Sequence, residues 1–291
     1  MTTRLAPAKV NLWLHVAAPD ARGYHPLQSL VVFANIGDMV SLGTSGSSTH
    51  HLRPNLSLSG AFSEGLETGE GNLILKAVRA FEAATGMTVN RHDLHLAKNL
   101  PVASGLGGGS SDAGAVLHLL RDAYAPDMPD EDLSSIAAKT GADGVMCLWG
   151  QASLAEGYGE RLTPAKLPSV PAVLVNPGVA CPTPAIYRGF DEMAAFSPLD
   201  AVAEDIVNIE QLTAKLVATR NDLQAPAIWV QPVIAEVLAD LAAQPETLFA
   251  RMSGSGATCF ALCATDAEAQ ALSGRLQRMR PTAWVAACRL G

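Results

Sequence analysis

The sequence predicts an α+β protein made of two domains. Stretches with the two-residue period of β-strands alternate irregularly with stretches that have helical spacing. A glycine-rich segment, Pro101 to Gly114, lies between a predicted strand and a predicted helix, and no internal repeat is present. We place the domain boundary near residue 155, which gives an N-terminal domain over residues 1–155 and a C-terminal domain over residues 156–291.

Composition predicts a globular chain in the cytoplasm. Hydrophobic residues make up 48% of the sequence and charged residues 16%. The sequence has neither an apolar run of about 18 residues, as a membrane span requires, nor a signal peptide pattern. Five widely spaced cysteines favour neither disulfides nor a structural zinc site. The net charge of −8 disfavours nucleic acid as a partner, so an anionic ligand must be held by a local site.

The first predicted strand has the most regular alternation in the chain. Its two sets of side chains are Val10, Leu12, Leu14 and Val16 on one face and Lys9, Asn11, Trp13 and His15 on the other. This pattern is typical of a strand with one buried face, so Lys9 and Asn11 point the same way. Further strands are predicted at residues 27–36 and 38–44, and polar, glycine-rich sequence follows to about Gly71.

Helices and strands then alternate toward the glycine-rich segment. A helix is predicted over residues 72–86, with Gly86 as its stop, and a strand over residues 93–99. The next helix is predicted from Ser110, with serine and Asp112 in the N-cap and first turn. A third helix is expected over residues 130–141 and a short strand over residues 144–150.

The C-terminal half combines predicted strands and helices in the same way. We expect strands at residues 172–178, 258–263 and 283–290, and helices near residues 205–219, 226–243 and 266–278.

The glycine-rich segment fits neither of the two common nucleotide loops. Counted from Gly105 or Gly107, the last glycine of G-x-G-x-x-G is replaced by Ser110 or Asp112, and no lysine follows as in a P-loop. Glycine N–H groups and a helix N-terminus still favour a bound phosphate. A tight strand-to-helix turn is the structural alternative. A second glycine stretch, with Gly254 and Gly256, precedes the strand at 258–263.

These stretches resemble the GHMP superfamily of small-molecule kinases. "PVASGLGGGSSDAG" is similar to the phosphate loop of that family, and "MSGSGATCFAL" is similar to its C-terminal glycine motif. Five further stretches match its branch that acts on a cytidine diphosphate sugar alcohol: "APAKVNLWLHV", "RGYHPLQSLV", "GNLILKA", "NPGVACPTPAIY" and "NDLQAPA". The resemblance implies the two-domain GHMP kinase fold with its active site in the interdomain cleft.

The resemblance also implies an activity. It implies ATP-dependent phosphorylation of the tertiary C2 hydroxyl of a diphosphocytidyl methylerythritol, in the non-mevalonate route to isoprenoid precursors. The alternatives are another GHMP kinase of the homoserine or mevalonate type, or a catalytically weakened binding protein with this fold. The implied cofactors are ATP and Mg²⁺. We expect the sugar alcohol as partner, no nucleic acid or membrane partner, and a monomer or weak homodimer.

The resemblance assigns roles to individual residues. Asp143 would accept the proton of the acceptor hydroxyl, and Lys9 would pair with Asp143 or reach the transferred phosphoryl group. The implied ATP-binding residues are Asn72, Pro101, Val102, Ala103, Ser104, Gly105, Leu106, Gly107, Gly108, Gly109, Ser110 and Ser111. The implied substrate-binding residues are Asn11, Tyr24, His25, Thr183 and Tyr187. We expect no metal site built from protein side chains alone; Ser111 is a candidate contact for Mg²⁺, and Asp112 either aids the metal or stabilises the helix dipole.

Two positions depart from the pattern of that family. Arg22 stands where the family usually has aspartate before "GYH", and this change either adds an anion contact or perturbs the turn. Gly144 and Val145 stand where the family usually has valine and proline. Because proline fixes its own φ and restricts the preceding residue, its absence leaves the backbone beside Asp143 less restricted. The proposed base is present, and its positioning is the open question.

Overall fold

The computed structural model describes residues 1–44, 55–90, 92–194, 196–199 and 205–291, which form two compact units. The first unit comprises Met1–Ala8, Ile36–Val102 and Gly107–Gly150, and the second comprises Lys9–Asn35, Ala103–Leu106 and Gln151–Gly291. Two segments that precede Gly150 in the sequence, Lys9–Asn35 and Ala103–Leu106, therefore belong to the second unit. The single domain boundary near residue 155 stays a prediction.

Strands and helices are mixed along the chain, as the α+β class predicts. The strands are β1 (Thr2–Val16), β2 (Leu27–Thr44), β3 (Leu56–Ser59), β4 (His92–Ala97), β5 (Ser153–Gly157), β6 (Arg161–Pro164), β7 (Val170–Asn176), β8 (Phe249–Met252), β9 (Cys259–Leu262) and β10 (Trp284–Leu290). The helices are α1 (Leu73–Thr85), α2 (Gly108–Tyr124), α3 (Asp130–Ala137), α4 (Gly144–Trp149), α5 (Thr183–Met193), α6 (Ile209–Val217), α7 (Gln224–Val230), α8 (Val233–Ala242) and α9 (Asp266–Met279). In the described part of the chain, none of these helices is long and apolar enough to span a bilayer.

The first unit packs α1 to α4 against a small sheet. β4 pairs antiparallel with the C-terminal part of β2, where Val40 lies opposite Leu96, and parallel with β3. Phe81 of α1 and Leu117 of α2 are fully buried in its core. α2 and α4 approach closely at Gly114, where a Cβ would lie 2.8 Å from the Cys147 carbonyl oxygen. This contact fixes α4, which carries Asp143 at its N-terminus.

The second unit is built on an antiparallel sheet. β10 pairs with β7 along its full length and meets β2 at its end, and β7 continues through β9 to β8. β5 pairs with the N-terminal part of β2 and with β6. Helices α5, α7, α8 and α9 contribute apolar side chains to the core, among them Phe190, Ile234 and Leu276. The segment before β9 that contains Ser253 lies beside β1, where the Asn11 N–H donates to Ser253 Oγ.

Several predicted elements are confirmed, with ends that lie within about two residues of the predicted ones. α1 begins after Asn72, whose side chain accepts the Ile74 N–H, and stops at Gly86 in the left-handed conformation. β4, β7, β9, β10 and α9 lie where the alternation or the helical spacing predicts them. The capping box of Thr265 and Glu268 begins α9.

The prediction that β1 has one buried face is wrong. Lys9, Asn11, Trp13 and His15 are all buried, as are the apolar residues between them. A two-residue period shows which side chains share a face, but it does not show whether other elements cover that face.

The separate strands at 27–36 and 38–44 are one continuous strand, β2. Gly37, which separates the two predicted strands, lies inside β2, and a Cβ there would overlap the Ala6 carbonyl oxygen. Glycine in a strand often marks such a close approach of two backbones.

The strand predicted at residues 144–150 is wrong, because this segment is helix α4. Short apolar runs do not distinguish a buried strand from a buried helix.

The helix predicted over 226–243 is two helices, α7 and α8, separated at Pro232, which lacks the N–H that a helix interior needs. The helix predicted over 130–141 ends at Ala137. Four short strands, β3, β5, β6 and β8, and helix α5 were not predicted.

Candidate active site

The two glycine motifs contact each other within the second unit. The Ser104 carbonyl oxygen accepts the Thr258 N–H at 3.1 Å, and the Gly105 carbonyl oxygen accepts the Ser253 hydroxyl at 3.1 Å. The next carbonyl of the loop, that of Leu106, accepts the Lys9 N–H at 2.8 Å. The middle of the glycine-rich segment is therefore held by both β1 and the C-terminal glycine motif.

Gly105 is required at this contact for two physical reasons. Its φ of +78° lies in the left-handed region, and a Cβ there would lie 2.5 Å from the Ser253 carbonyl oxygen. Part of the glycine content of the loop thus serves close backbone packing. This finding supports the turn alternative for Gly105 without excluding phosphate binding by its neighbours.

The N-terminus of α2 lies in the first unit and begins earlier than predicted. Gly107 is its N-cap, with φ of 64°, and the Ser111 N–H donates to the Gly107 carbonyl oxygen at 2.9 Å. Ser110 is therefore inside the first turn rather than at the N-cap. The N–H groups of Gly108, Gly109 and Ser110 precede the first helical bond and have no acceptor within the helix. They form the kind of site that binds an anion.

A buried charge cluster made of Lys98, Asp38 and Asp112 lies behind this helix start. Lys98 Nζ is 2.5 Å from Asp38 Oδ2 and 2.7 Å from Asp112 Oδ2. The other oxygen of Asp38 accepts the N–H groups of Asn99 and Leu100. Asp112 is therefore not a surface carboxylate in the first turn that interacts with the helix dipole. It is buried and paired, one turn further into α2.

Burial dominates the electrostatics of Asp112. It raises the pKa of this carboxyl to about 7; the charge of Lys98 opposes the shift and the charge of Asp38 adds to it. Lys98 keeps a raised pKa despite its burial, because two carboxylates face it. The cluster links the end of β4, the middle of β2 and the start of α2 by charge.

Two oxygen atoms at this helix start have no hydrogen-bond partner among the described residues. They are Ser111 Oγ and Asp112 Oδ1, and both side chains are buried. Most buried polar atoms in proteins are paired with protein, water or a ligand. These two oxygens are therefore available to a bound group.

Asn72 acts as the N-cap of α1. Its Oδ1 accepts the Ile74 N–H at 2.9 Å, and its Nδ2 donates to the Glu67 carbonyl oxygen at 2.7 Å. Both ends of the carboxamide are thus engaged within the first unit. A contact with the nucleotide stays a prediction for this residue.

Asp143 is the half-buried N-cap residue of α4. The next residue, Gly144, packs so tightly against the end of α3 that a Cβ would overlap the Ala137 carbonyl oxygen. Its N–H also donates to the Gly141 carbonyl oxygen at 3.0 Å. Packing restrains the backbone beside Asp143 here, where the family pattern uses proline.

Asn11 connects β1 to both glycine motifs. Its N–H donates to Ser253 Oγ at 3.1 Å, and the Ser253 hydroxyl in turn donates to Gly105. Its side-chain Nδ2 donates to Ser29 Oγ at 2.7 Å, and its Oδ1 has no partner among the described residues. This carbonyl oxygen is a buried acceptor beside the glycine motifs.

His25 and Tyr187, both predicted to bind substrate, are in contact. Their ring centroids are 5.2 Å apart, and Phe190 adds a second aromatic neighbour of His25 at 5.8 Å. His25 Nδ1 lies 2.9 Å from the Ala17 carbonyl oxygen and Nε2 lies 3.1 Å from Asp191 Oδ1. The imidazole is held at both nitrogens, so its orientation is set before a ligand binds.

Tyr24 presents an exposed ring beside this group, with 63% of its surface accessible. Arg22 lies over it, with the guanidinium carbon 5.8 Å from the ring centroid, and donates to the Tyr158 hydroxyl at 2.7 Å. Asp20 accepts the backbone N–H groups of Arg22 and Tyr24, so Asp20 holds the turn. Hydrogen bonds from Tyr158 and from the turn lower the pKa of Asp20.

The predicted contact residue Thr183 starts α5, and its hydroxyl lies 2.9 Å from Ser255 Oγ. Thr183 thereby joins the C-terminal glycine motif to the helix that carries Tyr187.

Sequence reasoning missed Lys98, Asp38, Ser29 and Ser253. Lys98 precedes the glycine loop in "KNLP", and Ser253 precedes Gly254, so their positions next to the motifs were the available signals. Ser29 and Asp38 carry no local signal, because their partners lie far away in the sequence.

Two family models and several curated proteins match this chain. The family "GHMP kinases N terminal domain" matches residues 72–151, and the family "GHMP kinases C terminal" matches residues 200–281. A 4-diphosphocytidyl-2-C-methyl-D-erythritol kinase of Caulobacter vibrioides (strain NA1000 / CB15N) is 51% identical to this chain and is matched over 98% of both chains. The kinase of the same name from Dinoroseobacter shibae is 45% identical over 97% of this chain and 92% of its own length.

Solved structures show the same relationship. A crystal structure of 4-(cytidine 5'-diphospho)-2C-methyl-D-erythritol kinase superposes with a TM-score of 0.78 at 32% identity, covering 100% of this chain and 99% of that chain. Homoserine kinase from Cytophaga hutchinsonii has a TM-score of 0.67 at 18% identity, covering 99% of this chain and 96% of its own. The latter likeness concerns the fold alone.

Proposed function

The chain belongs to the GHMP kinase family, as a full-length relative of its 4-diphosphocytidyl-2-C-methyl-D-erythritol kinases, and from this premise we propose its reaction. It transfers the γ-phosphoryl group of ATP to the C2 hydroxyl of 4-diphosphocytidyl-2-C-methyl-D-erythritol. The product serves the non-mevalonate route to isoprenoid precursors.

One observation carries the choice of acceptor. The relatives that match 98% of this chain at 51% identity are kinases for this sugar alcohol, whereas the homoserine and mevalonate kinases share its fold at 18% identity or less. A glycine-bordered phosphate loop alone indicates only a phosphate. The acceptor therefore follows from the whole chain rather than from the loop.

The start of α2 supports ATP binding. The N–H groups of Gly108, Gly109 and Ser110 point out of the helix N-terminus, and its partial positive charge attracts a phosphate. The ATP-binding segment runs from Pro101 to Ser111 and includes these three residues. Val102 is half exposed at the edge of the loop, where it is accessible to the nucleotide.

The second unit supports recognition of the acceptor. The Oδ1 atom of Asn11 is a buried acceptor for a hydroxyl donor. Tyr24, His25 and Tyr187 supply aromatic faces for the cytosine ring, since aromatic pairs favour offset or edge contacts. Thr183 contributes a hydroxyl at the start of α5.

The chemistry requires positioning and charge compensation more than covalent work by the protein. Asp143 accepts the proton of the C2 hydroxyl as that oxygen attacks phosphorus. Lys9 contributes positive charge toward the transferred phosphoryl group, and its N–H bond to Leu106 ties it to the phosphate loop. Preorganised charges of this kind act strongly where water is excluded.

Mg²⁺ fits the donor set at the start of α2. The described residues contain no group of three or more His, Cys, Asp or Glu that could hold a metal. Mg²⁺ usually takes one or two protein oxygens together with substrate phosphates, and Ser111 Oγ and Asp112 Oδ1 are two unpaired buried oxygens. If bound there, the ion would be held by Ser111 Oγ and Asp112 Oδ1 and would supply positive charge to the phosphates of ATP.

An acceptor comparison tests this proposal. ADP release is measured with the diphosphocytidyl substrate, with homoserine and with mevalonate, each at several concentrations. We expect release with the first acceptor and only background with the other two. Release with homoserine or mevalonate instead would assign another GHMP kinase activity, and background with all three would favour a binding protein.

The remaining expectations stay predictions. They are a monomer or weak homodimer, a cytoplasmic location, and no nucleic acid or membrane partner. Sedimentation of the purified chain measures the first of these directly.

A further inference from the structure

The hydroxyl of Ser29 is committed to one hydrogen bond. Ser29 Oγ lies 2.6 Å from the Trp13 carbonyl oxygen. A carbonyl oxygen can only accept, so the single proton of the Ser29 hydroxyl must point at Trp13. The lone pairs of Ser29 Oγ then remain as acceptors for another group.

That other group is the carboxamide of Asn11. One of its terminal atoms lies 2.7 Å from Ser29 Oγ, and both side chains are buried. Because Ser29 has no second proton to donate, the atom that faces it must be the NH₂ group. The Asn11 oxygen therefore points away from Ser29.

The Asn11 oxygen faces the C-terminal glycine motif. A Cβ at Gly254 would lie 3.2 Å from Asn11 Oδ1, and the φ of Gly254, +56°, also favours glycine. Asn11 Oδ1 has no partner among the described residues, although Asn11 is only 5% exposed. A buried acceptor in this state costs free energy until a donor reaches it.

We propose that Ser29 is a positioning residue that fixes the Asn11 carboxamide with its oxygen toward the substrate. Asn11 is thereby an obligate acceptor and reads a hydrogen-bond donor, a hydroxyl of the sugar alcohol. This inference rests on the proposed function, because the sugar alcohol supplies that hydroxyl. Ser29 itself touches no substrate.

Ser29→Ala tests the proposal through a split between two Michaelis constants. Without Ser29 Oγ the carboxamide can rotate, so KM for the sugar alcohol should rise about 3- to 10-fold, the size of one misplaced hydrogen bond. KM for ATP should stay within about twofold, because the substitution changes a side-chain hydrogen bond of Asn11 and none of the hydrogen bonds that hold residues 104–106 of the loop. Ser29→Cys keeps the side-chain size and replaces the hydroxyl with a weak hydrogen-bonding thiol, so it should give the same split.

Ser153→Ala is the matched control. Ser153 is a buried serine on the neighbouring strand β5, and its hydroxyl has no partner among the described residues. Its removal should change neither Michaelis constant. Unchanged KM for the sugar alcohol in both Ser29 variants would overturn the proposal, as would an equal rise of both constants.

A double-mutant cycle and an NMR measurement complete the test. In an Asn11→Ala background, Ser29→Ala should add no further rise in KM for the sugar alcohol, and full additivity would contradict the proposal. In the free protein, the Asn11 side-chain NH₂ protons should exchange more slowly with water than in Ser29→Ala; equal rates would contradict the proposed orientation. If the wild-type chain transfers no phosphoryl group while the NMR difference is present, the proposed function fails and the orientation stands.

Discussion

The most consequential single residue is Asp143, the proposed base. Asp143→Asn keeps the size of the side chain and removes its ability to take a proton, so turnover should fall by roughly 10²- to 10⁴-fold. Initial rates of ADP release, with circular dichroism as a check of folding, measure this effect. The exposed residue Asp127 lies in the same unit, and Asp127→Asn serves as the control with near-normal turnover. Near-normal turnover of Asp143→Asn would remove the residue from the mechanism.

Gly144 permits a second prediction at the level of one residue. Because a Cβ at Gly144 would overlap the Ala137 carbonyl oxygen, Gly144→Ala should lower the free energy of unfolding by about 1–3 kcal/mol. Gly69 has open space around it, and Gly69→Ala should leave stability nearly unchanged. Urea unfolding of both variants gives the comparison. A Gly144→Ala protein as stable as Gly69→Ala would contradict the tight packing beside Asp143.

The residues near the motifs could be predicted from sequence, whereas their environments could not. Asn72 was placed correctly at a helix start, yet its carboxamide is engaged by Ile74 and Glu67 in the structure. The sequence reading placed Asp112 near the start of α2, but its pairing with Lys98 depends on β4 packing beside that helix. Roles that depend on distant partners have no local signal.

At the scale of elements, the start of α2 depends on the charge cluster of Lys98, Asp38 and Asp112. Burial raises the pKa of Asp112 to about 7, above the value of about 3.9 for an unfolded chain. Between these values the folded chain binds more protons than the unfolded chain. The contribution of Asp112 to stability is therefore present at acid pH and is lost as the pH rises toward 7.

Asp112→Asn should remove this pH dependence. The variant keeps the shape of the side chain and the pair of Lys98 with Asp38, and it carries no charge to bury. The melting temperature of Asp112→Asn minus that of the wild type should therefore be higher at pH 8 than at pH 5. Thermal unfolding at both values measures the shift, with Asp127→Asn as the control. A relative melting temperature that falls or stays constant over this range would contradict the buried environment of Asp112.

Elements were predicted best where one pattern dominates. Helical spacing and Gly86 predicted where α1 ends, and short apolar stretches predicted the positions of β7 and β10. α4 was mistaken for a strand because its six apolar and small residues are too short to show a helical period. β2 was split in two because Gly37 looks like a break, although it serves a close contact with Ala6.

At the scale of the whole molecule, the proposed anion-binding sites must offset the repulsion that the net negative charge exerts on anionic substrates. The chain carries a net charge of −8 and yet is proposed to bind two anionic substrates. The helix N-terminus at Gly108 to Ser110 supplies partial positive charge for ATP. The second unit offers Asn11, His25 and Tyr187 for the acceptor. Family membership, which rests on the whole chain, joins these separate features into one reaction.

The position of phosphorylation is the most direct test of the proposed reaction. The purified chain is incubated with ATP, Mg²⁺ and 4-diphosphocytidyl-2-C-methyl-D-erythritol, and a proton-coupled ³¹P NMR spectrum of the product is recorded. C2 carries no hydrogen, so a phosphate on its oxygen should appear as a new phosphomonoester singlet without three-bond coupling to a proton. A new phosphomonoester signal split by proton coupling into a doublet or triplet would show transfer to a secondary or primary hydroxyl, and the absence of a new phosphomonoester signal would show no transfer; either result would contradict the proposed reaction.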